Sequence, residues 1–210
     1  MGEFPRVRLI VVAAALVVAI IASPFWLPLL GTTLAVNDTL VPADVALVLE
    51  GTGATATDAA EAWRQQGLVR DVVIVEAPVK THALVAYWSD LVRRGLAAPA
   101  PTPADHLTIA RSPSTQARQQ AQAALPALQA AGATRALVLG GGGIGSRLVA
   151  RELAAVFGPA GISLRMVSYG NDRTRDPGHW YQNAEDRRAV LDSWLQTVVP
   201  FLSGYDDVGT

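Results

Sequence analysis

The sequence contains no cysteine and only one lysine, Lys80, among its 210 residues. Without cysteine there are no disulfide bonds, thiolate metal sites or cysteine nucleophile, although exported chains also do without cysteine, so the compartment stays open. Lys80 follows no glycine run, and no G-x-S-x-G pattern occurs, which excludes the P-loop of nucleoside triphosphatases and the serine-hydrolase elbow. The three histidines, His82, His106 and His179, have no zinc-site spacing, so no metal site is predicted.

Charge is scarce as well. Charged residues make up 17% of the chain, the net charge is −1, and half of the residues are hydrophobic. A near-neutral chain has no broad basic face for a phosphate backbone, so no nucleic-acid partner is expected. The mean hydropathy of +0.28 is too high for a disordered chain and for an ordinary soluble domain. Some part of the chain therefore belongs in an apolar environment.

An uncharged stretch from Leu9 to Asn37 explains the hydropathy. About 20 apolar residues suffice to cross the hydrocarbon core, which predicts a transmembrane helix over residues 9–31. Arg6 and Arg8 precede the stretch, and the first charges after it are acidic. By the positive-inside rule, residues 1–8 are cytoplasmic and the rest of the chain is extracytoplasmic. The sequence therefore predicts a single-pass protein of the cell membrane.

Two alternatives to an anchor remain at this level, a cleaved signal peptide and a buried core helix. The apolar run exceeds the usual 7–15 residues of a signal peptide, and no small-x-small cleavage pair follows it. Pro24 and Pro28 are predicted to end or kink the helix. Phe25 and Trp26 stand where aromatic side chains meet the outer headgroups. We therefore favour an uncleaved anchor.

After residue 43, short β-rich runs alternate with longer amphipathic ones. The predicted strands are Val45–Leu49, Asp71–Val75, His106–Ala110, Arg135–Leu139 and Ile162–Ser168, and the predicted helices cover residues 55–66, 81–94, 114–131, 146–157 and 184–202. Strands that are apolar on both faces and separated by helices indicate a parallel sheet covered on both sides. The predicted fold is α/β, a three-layer doubly wound (Rossmann-like), mostly parallel five-stranded sheet. Residues 32–43 form a linker, residues 44–203 the domain and residues 204–210 a tail.

In such domains the ligand lies beyond the carboxyl ends of the strands. A glycine run follows the fourth predicted strand, and Gly140, Gly142 and Gly145 match G-x-G-x-x-G before a helix. Glycines there let the backbone approach a phosphate at a helix amino end. Gly140, Gly141 and Gly142 are therefore candidate ligand-binding residues. Arg165 stands where the accompanying acid is expected, so a tight structural turn is the alternative reading.

A second candidate part of the predicted cleft is the turn after the first strand. Gly51, Thr52 and Gly53 form a polar, glycine-punctuated turn and are candidate ligand-binding residues. Glu50 precedes this turn, and Glu76 ends the second strand. Two carboxylates at adjacent strand ends could perform acid–base chemistry. The alternative is a solvated pair at the edge of the sheet.

Two further candidates lie near the ends of later elements. Ser114 and Thr115 enter the long third helix, where Ser114 has the chemistry of an N-cap and both hydroxyls could face the cleft. Trp180 and Tyr181 lie in a polar, aromatic loop before the last helix. Trp180 could stack on a sugar or base, and burial against the sheet edge is the alternative.

The order of these features resembles the YdcF/SanA/ElyC-like family. The resemblance rests on the Pro-Ala-Asp step into the first strand at 42–44, on Ser114-Thr115, on Arg147 after the fourth strand, and on the aromatic loop and last helix. It covers roughly residues 34–202 and includes the preceding membrane segment. In the family, Glu50 is usually a glycine, and a histidine precedes the arginine where this chain has 142–144.

The resemblance implies a role in bacterial envelope or cell-wall maintenance, with envelope proteins or surface-glycan precursors as partners. It also implies a nucleotide-like ligand such as S-adenosylmethionine. Arg147 is expected to pair with a phosphate or carboxylate of a small anionic or sugar ligand. The catalytic residues stay unknown. A catalytically inactive scaffold at the membrane and an enzyme acting on lipid-linked sugars or phosphate esters are the alternatives.

Overall fold

In the computed structural model, the described residues are 11–12, 14, 17–18, 20–50, 52, 54–80, 85–87, 106–140, 143–169 and 177–203. Five helices lie in this part of the chain: α1 Ser23–Thr32, α2 Ala54–Gln65, α3 Ala117–Ala130, α4 Ser146–Phe157 and α5 Ala184–Ser203. Its strands are β1 Val45–Val48, β2 Asp71–Glu76, β3 Val79–Lys80, β4 Val85–Ala86, β5 Leu107–Arg111, β6 Arg135–Leu139 and β7 Ser163–Val167. A short 3-10 helix, Trp180–Gln182, precedes α5.

Five of the strands form one parallel sheet in the order β5-β2-β1-β6-β7. The chain moves from β1 outward to β2 and β5, then returns to the other side of β1 for β6 and β7. This reversal between β1 and β6 is the switch point of a doubly wound fold. The predicted α/β class and five-stranded Rossmann-like sheet are confirmed.

Each face of the sheet buries its own hydrophobic cluster. One cluster joins Val45, Leu47 and Val73 to apolar residues of α3 and α4, such as Leu128 and Phe157. The other joins the alternate strand positions to Ala56, Ala60 and Trp63 of α2. Burial of β1 on both faces explains its unbroken apolar sequence, because side chains alternate across a strand.

The predicted elements agree with these bounds except in two places. A helix was predicted over residues 81–94, but Val85–Ala86 pairs antiparallel with Val79–Lys80, so this prediction is wrong at the described positions. Ser114 was predicted as the N-cap of α3, but that helix begins at Ala117 after Gln116. The Ser114 hydroxyl instead accepts a hydrogen bond from the Gln116 N–H (3.1 Å), which makes a turn before the helix.

The N-terminal prediction falls only partly on described residues. Within the described ranges, no helix combines the length and hydropathy that a bilayer crossing requires. The described residues up to Ile21 are helical, Ala22 forms a turn, and α1 begins at Ser23 with Pro24 in its first turn, so the helix is interrupted at Pro24 as predicted. Pro28 lies inside α1 and does not end it. The anchor over residues 9–31 stays a prediction.

The residues after α1 are attached to the domain. The Asp38 N–H donates to the Met166 carbonyl oxygen (2.7 Å), and the Asp38 carboxylate accepts from the Met166 N–H (2.8 Å). Ser146, buried at the start of α4, uses its hydroxyl to bind both backbone groups of Val36. These contacts hold part of the predicted linker 32–43 against the edge strand β7 and against α4.

Candidate functional site

The switch point lies between the turn that follows β1 and the turn that follows β6. The two strands are paired up to Val48 and Leu139, so their connecting turns emerge side by side. In doubly wound folds the connections on either side of this point leave for opposite faces of the sheet, and ligands bind in the crevice between them. The candidate site is therefore the crevice between these two turns.

The turn after β1 is held from several sides. The Thr52 hydroxyl donates to the Leu49 carbonyl oxygen (2.7 Å), which closes a tight turn at the end of the strand. The Tyr169 hydroxyl, beyond the end of β7, donates to the Thr52 carbonyl oxygen. Thr52 therefore lies at the crevice as predicted. Gly51 and Gly53 lie outside the described residues.

The turn after β6 reaches the same place. Gly140 has φ of +126°, a conformation that side chains disfavour, and a Cβ there would lie 3.6 Å from Thr52 Cγ2. Gly145 has φ of +85° and directly precedes α4. The structure thus brings Gly140 next to Thr52, while Gly141 and Gly142 lie outside the described residues.

The amino end of α4 is already occupied by the protein itself. The N–H groups of Ser146 and Leu148 donate to the carbonyl oxygens of Gly143 and Gly145 (3.1 and 3.0 Å). The Arg147 N–H donates to the Leu34 carbonyl oxygen (3.0 Å). An anion needs such N–H groups to be available. The geometry of the turn after β6 therefore favours a structural turn over an anion site.

The amino end of α2 offers one contrast with that of α4. No acceptor in the described part of the chain contacts the Thr55 N–H, which stands at the second helical position, where α4 has the bonded Arg147 N–H. The helix is 12 residues long and has no acidic residue in its first turn. Its amino end therefore carries the positive end of the helix dipole toward the crevice without a counter-charge on that turn.

Glu76 ends β2, the neighbour of β1. Its side chain is 8% exposed and makes contacts of its own. Val72, which lies four residues earlier on the same strand, packs on the face of the sheet that α2 covers. Because side chains alternate along a strand, Glu76 faces the same side. A buried carboxylate thus lies at a strand end on the face that α2 covers.

The turn after β1 carries a second match to the dinucleotide fingerprint. Gly51, Gly53 and Ala56 fit G-x-G-x-x-A between β1 and α2, and Glu76 follows Gly51 by 25 positions. In dinucleotide-binding folds the third small residue permits close helix–strand packing, and an acid about 20 residues on binds the ribose. Ala56 is fully buried against the sheet. The fingerprint accepts alanine as well as glycine at its third small position, and this rule could have identified the motif from the sequence.

A buried glutamine connects the two other predicted loops. The Gln120 Oε1 atom on α3 accepts from the Glu50 N–H (2.8 Å), and its Nε2 donates to the Thr115 carbonyl oxygen (2.9 Å). Thr115 therefore lies near the end of β1 through its backbone, while its side chain is exposed. The Ser114 hydroxyl contacts Gln119 on the same helix. Gln120 was not among the predicted residues, since an isolated glutamine gives no sequence signal.

The hairpin β3–β4 closes over the end of β5. The Tyr87 hydroxyl, directly after β4, donates to the Ser112 carbonyl oxygen (3.0 Å). The Arg111 guanidinium lies 5.0 Å from the centre of the Tyr87 ring, within the range of a cation–π contact. The carboxyl end of the sheet is thus covered on the β5 side.

The other two predicted ligand residues contact the N-terminal segment. The Arg147 side chain is exposed, and its Nη2 lies 3.4 Å from the Ala35 carbonyl oxygen. Trp180 is buried, and its indole Nε1 donates to the Leu27 carbonyl oxygen (2.6 Å). Its ring belongs to a cluster with Leu34 and Val190. Trp180 is therefore buried, as in the alternative drawn from the sequence, but it packs against α1 and α5 and not against the sheet edge.

A cavity of about 400 Å³ lies elsewhere, between β7 and α4. It is lined mainly by apolar residues, including Val36, Ala154, Ile162 and Met166. None of the predicted site residues lines it. This cavity does not coincide with the crevice between β1 and β6.

The strongest charge effects lie at the opposite, amino edge of the sheet. Hydrogen bonds from Thr134 and Arg135 lower the pKa of the Asp44 carboxyl. The hydrogen bond from Arg64 is the main cause that lowers the pKa of Glu61 to about 2, and Gln65 and His106 contribute to the shift. These carboxylates join helices and strand starts, so they serve the fold and not the crevice.

No family model, curated protein or solved structure matches this chain.

Proposed function

We propose that this chain binds a ligand with a ribose and an anionic group, of the class of nucleotides and S-adenosylmethionine, in the crevice between β1 and β6. The anionic group lies at the amino end of α2, and Glu76 accepts a hydrogen bond from a ribose hydroxyl. The observation that carries the proposal is the buried Glu76 at the end of β2, on the α2 face, behind the G-x-G-x-x-A turn.

The electrostatics support one ligand orientation. The amino end of α2 offers N–H donors and a positive dipole end, which favour a phosphate or carboxylate. A carboxylate at Glu76 accepts hydrogen bonds and repels an anion, which favours a neutral diol at that end. Nucleotides and S-adenosylmethionine share this arrangement of an anionic group and a ribose.

The place of this activity is the second part of the proposal. The uncharged run that begins at Leu9, behind Arg6 and Arg8, anchors the chain in the cell membrane with the domain outside the cytoplasm. There the domain acts in bacterial envelope or cell-wall maintenance. The resemblance to the YdcF/SanA/ElyC-like family supports this part, and it points to surface-glycan metabolism.

The binding test uses the full chain in lipid nanodiscs and isothermal titration calorimetry with ADP, NAD and S-adenosylmethionine as separate arms. We expect saturable binding of at least one of them. The same ligand without its ribose 2′-hydroxyl should bind about tenfold more weakly, which is the loss of one good hydrogen bond. Glu76→Gln should remove most of this difference between the two ligands.

A matched pair of glycine variants locates the anionic end. Gly53→Val places a side chain in the proposed phosphate turn and should abolish binding. Gly143→Ala is the control, because a Cβ there meets nothing within 4 Å. Equal binding by both variants, or no binding of any arm by the folded wild type, contradicts the proposal. The second result would favour a scaffold that binds partner proteins.

A further inference from the structure

Two helices of the fold, α1 and α5, are joined by the hydrogen bond from Trp194 to Leu30, and both expose large apolar side chains. Phe25 and Leu29 on α1 are 79% and 60% exposed, and Leu191, Leu195 and Val198 on α5 are 59%, 58% and 37% exposed. We infer that these five residues, here called the α1–α5 face, lie against the lipid surface of the membrane. The inference rests on the membrane anchoring proposed above.

On α5 the exposed apolar residues form one stripe. At about 100° per residue, Leu191, Leu195 and Val198 lie within about 60° of one another around the helix. Trp194 lies at the border of this stripe, and its indole Nε1 donates to the Leu30 carbonyl oxygen of α1 (3.1 Å). The stripe therefore borders the side of α5 that meets α1.

The other border of the stripe is polar. Arg188 and Asp192 are four residues apart, lie 3.8 Å from each other, and are both well exposed. A helix with one apolar stripe and one charged side fits the plane of a membrane interface, where the apolar side enters the headgroup boundary by about 5–10 Å.

α1 packs closely against the domain. Gly31 is buried, and a Cβ at this position would overlap the Pro177 carbonyl oxygen and the Trp180 ring. The Trp180 and Trp194 indoles bind α1 at Leu27 and Leu30. If the apolar run before α1 lies in the membrane, these contacts place the domain close to the membrane surface.

Length and chemistry favour lipid as the occupant of the face. The 10 residues of α1 span about 15 Å, so α5 lies within that distance of the end of the preceding run. The described valine and isoleucine side chains of the run are 54–70% exposed. An uncharged run behind arginines is typical of a segment in a bilayer. The α1–α5 face continues this apolar surface onto the domain.

The absence of cysteine makes the test direct. Single cysteines at Leu195 and Leu29 carry an environment-sensitive fluorophore in the full chain, reconstituted into vesicles of phosphatidylcholine and phosphatidylglycerol. Gln196→Cys, about 100° away on the exposed polar side of α5, is the matched control. Spin-labelled lipids should quench both face labels by about twofold or more, as expected for a shallow interfacial site, and should leave the Gln196 label unquenched.

A label at Val17, within the apolar run, separates the two proposals. Quenching at Val17 with equal, weak quenching at Leu195 and Gln196 would overturn the inference and leave the anchor intact. No quenching at Val17 would overturn the anchor and the inference together. If the Leu195 label is shielded from water but not quenched by lipid, and crosslinks between chains, a second copy covers the face and the inference is wrong.

Discussion

The side-chain oxygen of Gln120 accepts a 2.8 Å hydrogen bond from the backbone N–H of Glu50. Gln120 is 3% exposed and sits on α3, whereas Glu50 follows β1, seventy positions earlier in the chain. The same amide donates to the Thr115 carbonyl oxygen. One side chain therefore joins the strand end at the crevice to the start of the helix that leads from β5 to β6.

Replacing Gln120 by methionine should destabilise the fold. The change keeps the volume and leaves the Glu50 N–H and the Thr115 carbonyl group without their partner, which costs about 1–3 kcal/mol of unfolding free energy. Urea unfolding of the full chain in mild detergent measures this. Gln122→Met, at an exposed position of the same helix, is the control and should change stability by less than about 0.5 kcal/mol. Equal stability of both variants would contradict the prediction.

Gly140→Ala tests the backbone at the crevice. Gly140 has a φ of +126°, which glycine adopts readily and other residues do not. Holding another residue in this conformation lowers the free energy of unfolding by about 1–3 kcal/mol. The space around it is not the obstacle, since the new Cβ would be in ordinary contact with Thr52. We expect a lower midpoint of thermal unfolding for Gly140→Ala and almost no shift for Gly143→Ala. A silent Gly140→Ala would show that the turn relaxes freely.

Gly31→Ala should destabilise the protein, although alanine has the higher helix propensity. In an exposed helix this change stabilises by about 1 kcal/mol. Here the new Cβ overlaps Pro177 and Trp180, so α1 must move away from the domain. We expect loss of the near-ultraviolet circular dichroism of the buried indoles and faster proteolysis between α1 and β1. Leu29→Ala, exposed on the same helix, is the control. A more stable Gly31→Ala would show that α1 does not pack as described.

The hydrogen bonds of Asp44, at the amino edge of the sheet, should make the free energy of unfolding depend on pH. Its carboxylate accepts from the Thr134 N–H (2.8 Å), the Thr134 hydroxyl (2.9 Å) and the Arg135 N–H (2.9 Å), and its pKa is below the ordinary 3.8. A lowered folded-state pKa contributes stability that is present above the unfolded pKa and is lost as pH falls through the folded value. At neutral pH Asp44→Asn should cost about 1 kcal/mol, allowing for partial exposure to water.

The difference between wild type and Asp44→Asn should therefore shrink below about pH 4. Urea unfolding at a series of pH values measures it. Asp58→Asn, an exposed carboxyl on α2, is the control for the general effect of acid on the fold. A difference between wild type and Asp44→Asn that stays constant into strong acid would mean that the charge of Asp44 contributes nothing.

Elements whose environment is set by their own sequence were predicted well. Arg135–Leu139 and Ser146–Phe157 have the predicted bounds, because a continuous apolar run between turns specifies a buried strand and an apolar period of 3.6 specifies a helix. Residues 81–94 were misread because alternation over two residues is too short a signal for the strands Val79–Lys80 and Val85–Ala86.

The amino-acid order alone determined the parallel α/β class, since strands apolar on both faces need cover on both sides. It also brought Thr52 and Gly140 to one crevice, because carboxyl ends of parallel strands share an edge. Only the tertiary structure decided how the N–H groups at the helix starts are used. The Leu34 carbonyl oxygen, far away in the chain, accepts from the Arg147 N–H of α4, whereas no described acceptor contacts the Thr55 N–H of α2. Such pairings join residues that are far apart in the sequence, so local sequence patterns cannot predict them.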